Sequence, residues 1–408
     1  MRPNEARAVG VVAGDAAAHV ATILRDAHTA LNAAAFNRTE RLVGAPARPL
    51  RLVVEGLTAG TYAALRGGLW AGGRMAGWGA RQRLLTIEQR RVQEGFEPLA
   101  SISASPRGNQ FVAAINGWAG DRLDGVRLAL HLDMRLRVGG RDVEATAEGL
   151  QAAYPQAQSD LVVLLPGLME TEDSWRFRPG RASNVRGDYG AALAADTGRT
   201  ALYLIYNTGR PVPDSGRALA QLLDQVIEHW PVPVRSLVLI GHSMGGLIIH
   251  SALAAGKPTW VDLVTTTITL GTPHSGAPLE RLADRVERAA TGRPALAWIH
   301  RPVASRSAGI RDLGSGRIAD DLDGAIGEGS STCAHHLVTA TLIARGGRGR
   351  GVVDAIGDLI VPVESAHAQG RLHLTRAIRH EIAGLTHPDL LNHQAVYAVI
   401  RQALAPIA

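Results

Sequence analysis

Short apolar runs punctuate the second half of this chain, at residues 161–165, 201–205, 237–240, 264–270 and 337–343. Runs of this length, without strict polar alternation, suit strands buried on both faces. Helical patterns lie between them, at 187–196, 216–230 and 245–255. Strand and helix in alternation predict an α/β fold, doubly wound, with a mostly parallel sheet covered on both sides. Just ahead of this block, residues 126–138 alternate well and lead into Gly139-Gly140, which predicts an antiparallel ribbon at the start of the sheet. A short helix is expected over 142–153, and a last one begins at Pro388.

The first third has a different texture. Residues 7–36 and 57–91 are rich in alanine and leucine with no strand alternation, so both read as helical, while 45–50 and 103–109 look like loops. Within 57–91, Tyr62, Leu65, Trp70 and Trp78 mix with Gly60, Gly67, Gly72 and Gly77. That mixture suits closely packed helices or, alternatively, an interfacial helix anchored by tryptophan. The chain thus divides into a mostly helical N-terminal module, 1–120, and a sheet domain, 121–408. The interval 276–333 is too long for a simple crossover and is expected to be a lid insertion near the strand ends. Leu279, Leu282, Val286, Leu296, Trp298 and Ile299 are its candidates either to line an acyl pocket or simply to pack.

Residues 239–246 read Leu-Ile-Gly-His-Ser-Met-Gly-Gly. The Gly-X-Ser-X-Gly pattern on Gly241, Ser243 and Gly245 stands between a buried strand and a helix. In that context it is a nucleophile elbow: a tight turn that projects a serine hydroxyl from the end of a sheet. A serine hydroxyl is a weak nucleophile, so Ser243 needs a base and the base needs an orienting acid. Downstream, Asp358 sits on a turn after Gly357, with Asp354 and Glu364 as alternatives. Among 15 histidines, His387 lies in the loop before the C-terminal helix, where it can reach across strand ends; His393 is expected inside that helix. The oxyanion of an acyl-transfer intermediate needs backbone donors. Met244, at the start of the helix after the elbow, is one; the loop Pro166-Gly167-Leu168-Met169 offers Leu168, with Met169 adjacent.

Composition changes this picture little. Apolar residues make up 46%, enough for a large core, and no uninterrupted apolar run reaches the ~18 residues of a membrane span. The single cysteine, Cys333, excludes an intramolecular disulfide, and residues 1–20 lack a secretory-leader pattern, so a cytoplasmic location is expected. One lysine, Lys257, stands against 42 arginines, and residues 1–91 carry a net charge of +7. This positive module is either a solvated helical face or a peripheral contact with an anionic membrane surface. No nucleic-acid partner is implied. No zinc-binding helix, phosphate loop or dinucleotide fingerprint occurs, so neither metal nor organic cofactor is expected.

With these motifs, over about residues 125–405, the chain resembles the α/β-hydrolase superfamily and, within it, the lipase and esterase group. Residues 270–276, Leu-Gly-Thr-Pro-His-Ser-Gly, together with 241–246 look like the pair found in bacterial triacylglycerol lipases and in GPI-inositol deacylase-like and lecithin–cholesterol acyltransferase-like hydrolases. The resemblance implies Ser243 as nucleophile, Asp358 as acid and His387 as base, with His274 shaping its loop. One departure is visible: the group's histidine–glycine before the oxyanion donor is Pro166-Gly167 here, so that loop lacks its usual polar prop. The implied activity is carboxylic ester hydrolysis through an acyl-enzyme on Ser243, acting on a small-molecule or lipid ester. Acyl transfer, amide hydrolysis and intracellular polyester depolymerisation use the same triad. A non-catalytic binding protein on this fold is the remaining alternative.

Overall fold

A computed structural model describes residues 1–43, 48–177, 185, 187–255, 259–276, 306–319, 333–342, 357–368, 374 and 377–405; at 27, 31, 34, 35, 37–43 and 48–50 it describes the backbone alone. Two compact units emerge, one containing Met1–Ser103 and Arg122–His131, the other Ala104–Asp121, Leu132–Arg281 and Ser307–Ala408.

The first unit is a helical hairpin. Helices α1 (Pro3–Val43) and α2 (Arg48–Gln93) run antiparallel, and their backbones touch where both carry glycine. A Cβ on Gly10 would stand 2.5 Å from Gly77 Cα, and one on Gly73 2.5 Å from Gly14 Cα. Only glycine permits that approach. Residues 48–50, expected in a loop, are helical because α2 begins at Arg48, nine residues before the expected 57. The first turn of α1 is held by Glu5, whose carboxylate accepts from the Arg2 and Ile102 amides and the Ser101 hydroxyl. Asp15 accepts from Arg74 at 2.9 Å and Arg127 at 2.5 Å. Burial pushes the Asp15 carboxyl up, but the two guanidinium groups outweigh it and hold it below its ordinary value. By length and mean hydropathy (1.3), Pro3–Ala30 is long and apolar enough to cross a membrane, although no unbroken apolar run marks it in the sequence.

The second unit is built on eight strands in the order β2-β1-β4-β3-β5-β6-β7-β8. They are β1 (Arg135–Val138), β2 (Arg141–Val143), β3 (Asp160–Leu165), β4 (Thr200–Ile205), β5 (Ser236–His242), β6 (Val264–Leu270), β7 (Ala334–Thr341) and β8 (Ala377–Ala383). Strand β1 pairs antiparallel with β2 and β4; every other neighbouring pair is parallel. The expected mostly parallel sheet is present. Alternate residues of each strand serve opposite cores. Leu161, Val163, Leu165, Leu237 and Leu239 pack under α6 (Val212–His229) and α7 (Met244–Ala254). Val162, Leu164, Val238 and Ile240 pack under α5 (Tyr189–Thr197) and the C-terminal helix α9 (Gln394–Ala403). Helices α3 (Pro106–Ala119), α4 (Ala147–Ala153) and α8 (Ala308–Ser315) also belong to the unit.

Three local expectations change. The ribbon expected over 126–138 is a strand only at Arg135–Val138; Gly125–Leu130 is a 3-10 helix that buries Leu130 and contacts α1, so its alternation reflects tertiary packing. The stretch 142–153 opens as the hairpin strand β2, and its helix waits for the Thr146 cap, whose hydroxyl accepts from the Gly149 amide. The helix of α3 likewise begins inside the expected 103–109 loop, at Pro106 after the Ser105 cap. Within the expected lid interval, α8 is described, whereas Leu279, Leu282, Val286, Leu296, Trp298 and Ile299 lie outside the described residues.

Candidate active site

Ser243 occupies the turn between β5 and α7 with φ 51° and ψ −119°, a combination L-residues rarely adopt. Neighbouring backbone enforces it. A Cβ on Gly245 would lie 2.5 Å from Leu165 O, and one on Gly241 2.5 Å from the Gly246 nitrogen. The Ser243 amide donates to Leu270 O at 2.8 Å, which ties the turn to the end of β6. The residue is mostly buried, at 7% exposure, so a hydroxyl here works in a largely dry setting.

The ends of β7 and β8 bring two more expected residues together. Asp358 lies on the turn after β7, wholly buried, with one carboxylate oxygen accepting from the Ile360 and Val361 amides at 3.0 and 2.8 Å. Its other oxygen accepts from His387 Nδ1 at 2.6 Å, and the His387 amide donates to Asp358 O at 3.0 Å. With Nδ1 donating, Nε2 is the nitrogen left to take a proton. His387 starts a short 3-10 segment, His387–Leu391, whose capping box links Thr386 and Asp389. The ring packs against the end of β6: a Cβ on Gly271 would stand 2.9 Å from His387 Nδ1. Gly271 directly follows Leu270, the acceptor of the Ser243 amide.

The alternatives fare differently. Glu364 is exposed on the helical turn Val363–Ala366, and Asp354 lies outside the described residues. His393 is not inside the last helix; it caps it, Nδ1 accepting from the Ala395 amide at 3.1 Å, because Pro388 falls in the 3-10 segment His387–Leu391 and α9 begins only at Gln394. His274 is buried and contacts Thr269 Oγ1, on β6, at 3.2 Å. Burial, with the His335 and His367 rings nearby, holds its pKa down to about 3, so it is neutral.

The loop after β3 approaches Ser243 closely, since a Cβ on Gly167 would come within 3.0 Å of Ser243 Cβ. Thr208 Oγ1 accepts from the Met169 amide at 3.1 Å, and Gln110 of α3 donates to Met169 O at 2.8 Å. Met169 is itself at φ 59°. The amide of Met169 is therefore occupied, whereas that of Leu168 has no hydrogen-bond partner among the described residues. Met244 is the first residue of α7, where helix amides have no intrahelical acceptor. A mostly apolar cleft of about 590 Å³ opens beside this region, bounded by Gln110, Glu170, Phe177, Pro388 and Leu391.

Sequence reading missed one pair. His242, wholly buried, contacts Glu170 through Nδ1 at 2.9 Å and His387 O through Nε2 at 3.3 Å. Burial pushes the His242 pKa down, but the Glu170 charge and hydrogen bond override it and raise it; reciprocally, Glu170 is lowered despite its own desolvation. Among the described residues, no cluster of three or more His, Cys, Asp or Glu is placed to hold a metal ion.

Residues 160–291 match the family model described as the PGAP1-like alpha/beta domain. Over 48 residues the chain is 46% identical to a GPI inositol-deacylase of Debaryomyces hansenii, a stretch that takes in 12% of this chain and 4% of that protein. Among solved structures, lipase BlEst2 of Bacillus licheniformis superposes with a TM-score of 0.37 at 18% identity, covering 60% of this chain and 91% of the lipase. Lipase B of Aspergillus fumigatus gives a TM-score of 0.41 at 12% identity, covering 70% and 58%. Residues 160–291, which contain β3 to β6, are thus similar to a PGAP1-like alpha/beta domain, and the sheet that holds them is mostly parallel with helices on both faces.

Proposed function

We propose that the protein is a serine hydrolase that cleaves carboxylic esters through an acyl-enzyme on Ser243, with His387 as base and Asp358 as its orienting acid. The observation that carries this reading is the strained, buried Ser243 at the end of β5, with the buried His387–Asp358 pair on the segments that follow β7 and β8. Ser243 Oγ attacks the ester carbonyl while His387 Nε2 takes its proton. The carbonyl electrons move onto oxygen, and the Leu168 and Met244 amides accommodate the oxyanion. Collapse expels the alcohol, which receives the proton from His387. Water then attacks the acyl-enzyme by the same route and restores Ser243. Asp358 keeps Nδ1–H in place and balances the transient imidazolium. The likeness to a GPI inositol-deacylase over 48 residues supports deacylation as the reaction class. A p-nitrophenyl ester series, with wild type and Ser243→Ala, tests the reading. Turnover by wild type alone is expected; equal turnover by both would refute it.

The helical unit supplies a peripheral contact with an anionic membrane. Supporting this, α2 exposes Leu52, Leu57, Leu65, Trp70 and Trp78, and residues 1–91 carry +7. Sedimentation with phosphatidylserine vesicles, lost at high salt, is the expected behaviour; no association at low salt would remove the proposal.

A further inference from the structure

Three loops come together at the elbow: 166–170 after β3, the elbow itself, and the segment that starts at His387, which touches His242. Each is touched by one carboxylate–imidazole pair. Glu170 Oε2 accepts from the Gly167 amide at 2.6 Å, and Gly167 is the residue whose Cβ would stand 3.0 Å from Ser243 Cβ. The same carboxylate holds His242 Nδ1, one residue before the nucleophile. His242 Nε2 reaches the carbonyl of His387, and the two rings lie 4.7 Å apart, centroid to centroid. Trp175, wholly buried, closes the edge of the His242 ring at 6.5 Å.

Each hydrogen-bonding partner of His242 is an acceptor: an ionised carboxylate, which also receives the Gly167 amide, and a backbone carbonyl. Neither can donate, so both ring nitrogens must carry protons. The ionisable groups around the ring are Glu170, His387 and Asp358, with Tyr206 next to Glu170. An imidazolium at zero exposure is sustained by the Glu170 charge beside it.

We infer that Glu170 and doubly protonated His242 are a positioning pair, which fixes the Gly167–Leu168 backbone against the elbow and the elbow against the His387 loop. This rests on the reading of Ser243 as nucleophile and deepens it. It also supplies the polar prop that Pro166-Gly167 lacks: the prop comes from three residues downstream rather than from the residue before the glycine. A donor left 1 Å from its productive place loses much of its effect on the oxyanion. The pair therefore acts on the transition state more than on substrate binding.

The test compares wild type with Glu170→Gln on a soluble ester, with kcat expressed per Ser243 labelled by a fluorophosphonate. Loss of about 10- to 100-fold in kcat is expected, with KM held within about twofold. A merely structural role would lower the melting temperature and the labelled fraction but leave kcat per labelled serine at the wild-type value; that result overturns the inference. Nitrogen-15 NMR of selectively labelled histidine reads the wild type directly, whether or not the variant folds. His242 should carry both ring protons at pH 8, and a neutral ring would overturn the inference. If Ser243→Ala stays active, the hydrolase reading fails by itself, and the NMR result still judges the pair.

Discussion

Glycine brings backbone against backbone in two regions of this protein, with opposite consequences. In the helical unit, Gly10 and Gly14 of α1 meet Gly73 and Gly77 of α2, and the helices stay regular. At the end of β5, Gly241 and Gly245 permit an equally close approach, but the residue between them, Ser243, is driven to positive φ. Among the described residues, the four non-glycine positions with positive φ are Met169, Ser243, Leu359 and Ala368, all in the sheet unit. Met169 lies in the loop that approaches Ser243, and Leu359 follows Asp358. Close packing alone does not strain a chain. Strain collects where the backbone must also aim a side chain or an amide.

Four substitutions or conditions break or sharpen this contrast. Asp358→Asn, which leaves His387 in the wrong tautomer, should lower kcat by about 10⁴-fold in ester hydrolysis; a loss below tenfold would detach Asp358 from the site. Gly245→Ala places a methyl against Leu165 O and should displace Ser243, costing about 100-fold in kcat even in the folded fraction. Gly73→Ala makes the equivalent clash with Gly14 Cα and should destabilise the helical unit by about 1–3 kcal/mol. Its kcat on soluble esters should stay at the wild-type level. If Gly73→Ala abolishes turnover as Gly245→Ala does, the two glycine contacts are not functionally distinct.

The smallest effect is on stability against pH. His250 and His274 are wholly buried, and desolvation holds both well below the ordinary imidazole value, His274 at about 3. Both are neutral in the fold, whereas the unfolded chain takes up their protons below about pH 6.5. Stability should therefore fall as pH drops through 6.5, by up to about 1.4 kcal/mol per pH unit for each ring. His242 works the other way: its raised value contributes stability that is complete below about 6.5 and is lost as pH rises through the folded value. Urea midpoints at pH 7.5 and 5.5 read the balance, and His250→Leu should flatten the acid slope. An unchanged slope would contradict the neutral assignment of His250.

The same contrast explains what the sequence made legible. The elbow is local: a strand, three residues and a helix specify it, so Ser243 and its two glycines could be read directly. Asp358 and His387 were reachable because each sits at a boundary marked by glycine or proline. The Glu170–His242 pair was not, since 72 residues separate its partners and Glu170 stands in no distinctive pattern. Strand β8 escaped because an edge strand, here Ala-Ile-Arg-His-Glu-Ile-Ala, is half polar and shows no buried run. The residues 126–138 misled for the converse reason, since their apolar positions serve a 3-10 segment against α1 as well as a strand.

The central claim is that strain at the end of β5 serves a nucleophile. Reaction with a fluorophosphonate, followed by peptide mass spectrometry, tests it most directly. The account predicts a single adduct on the peptide carrying Ser243, absent in Ser243→Ala and much slower in His387→Ala. An unlabelled wild type, or an adduct on another serine that persists in Ser243→Ala, would contradict it.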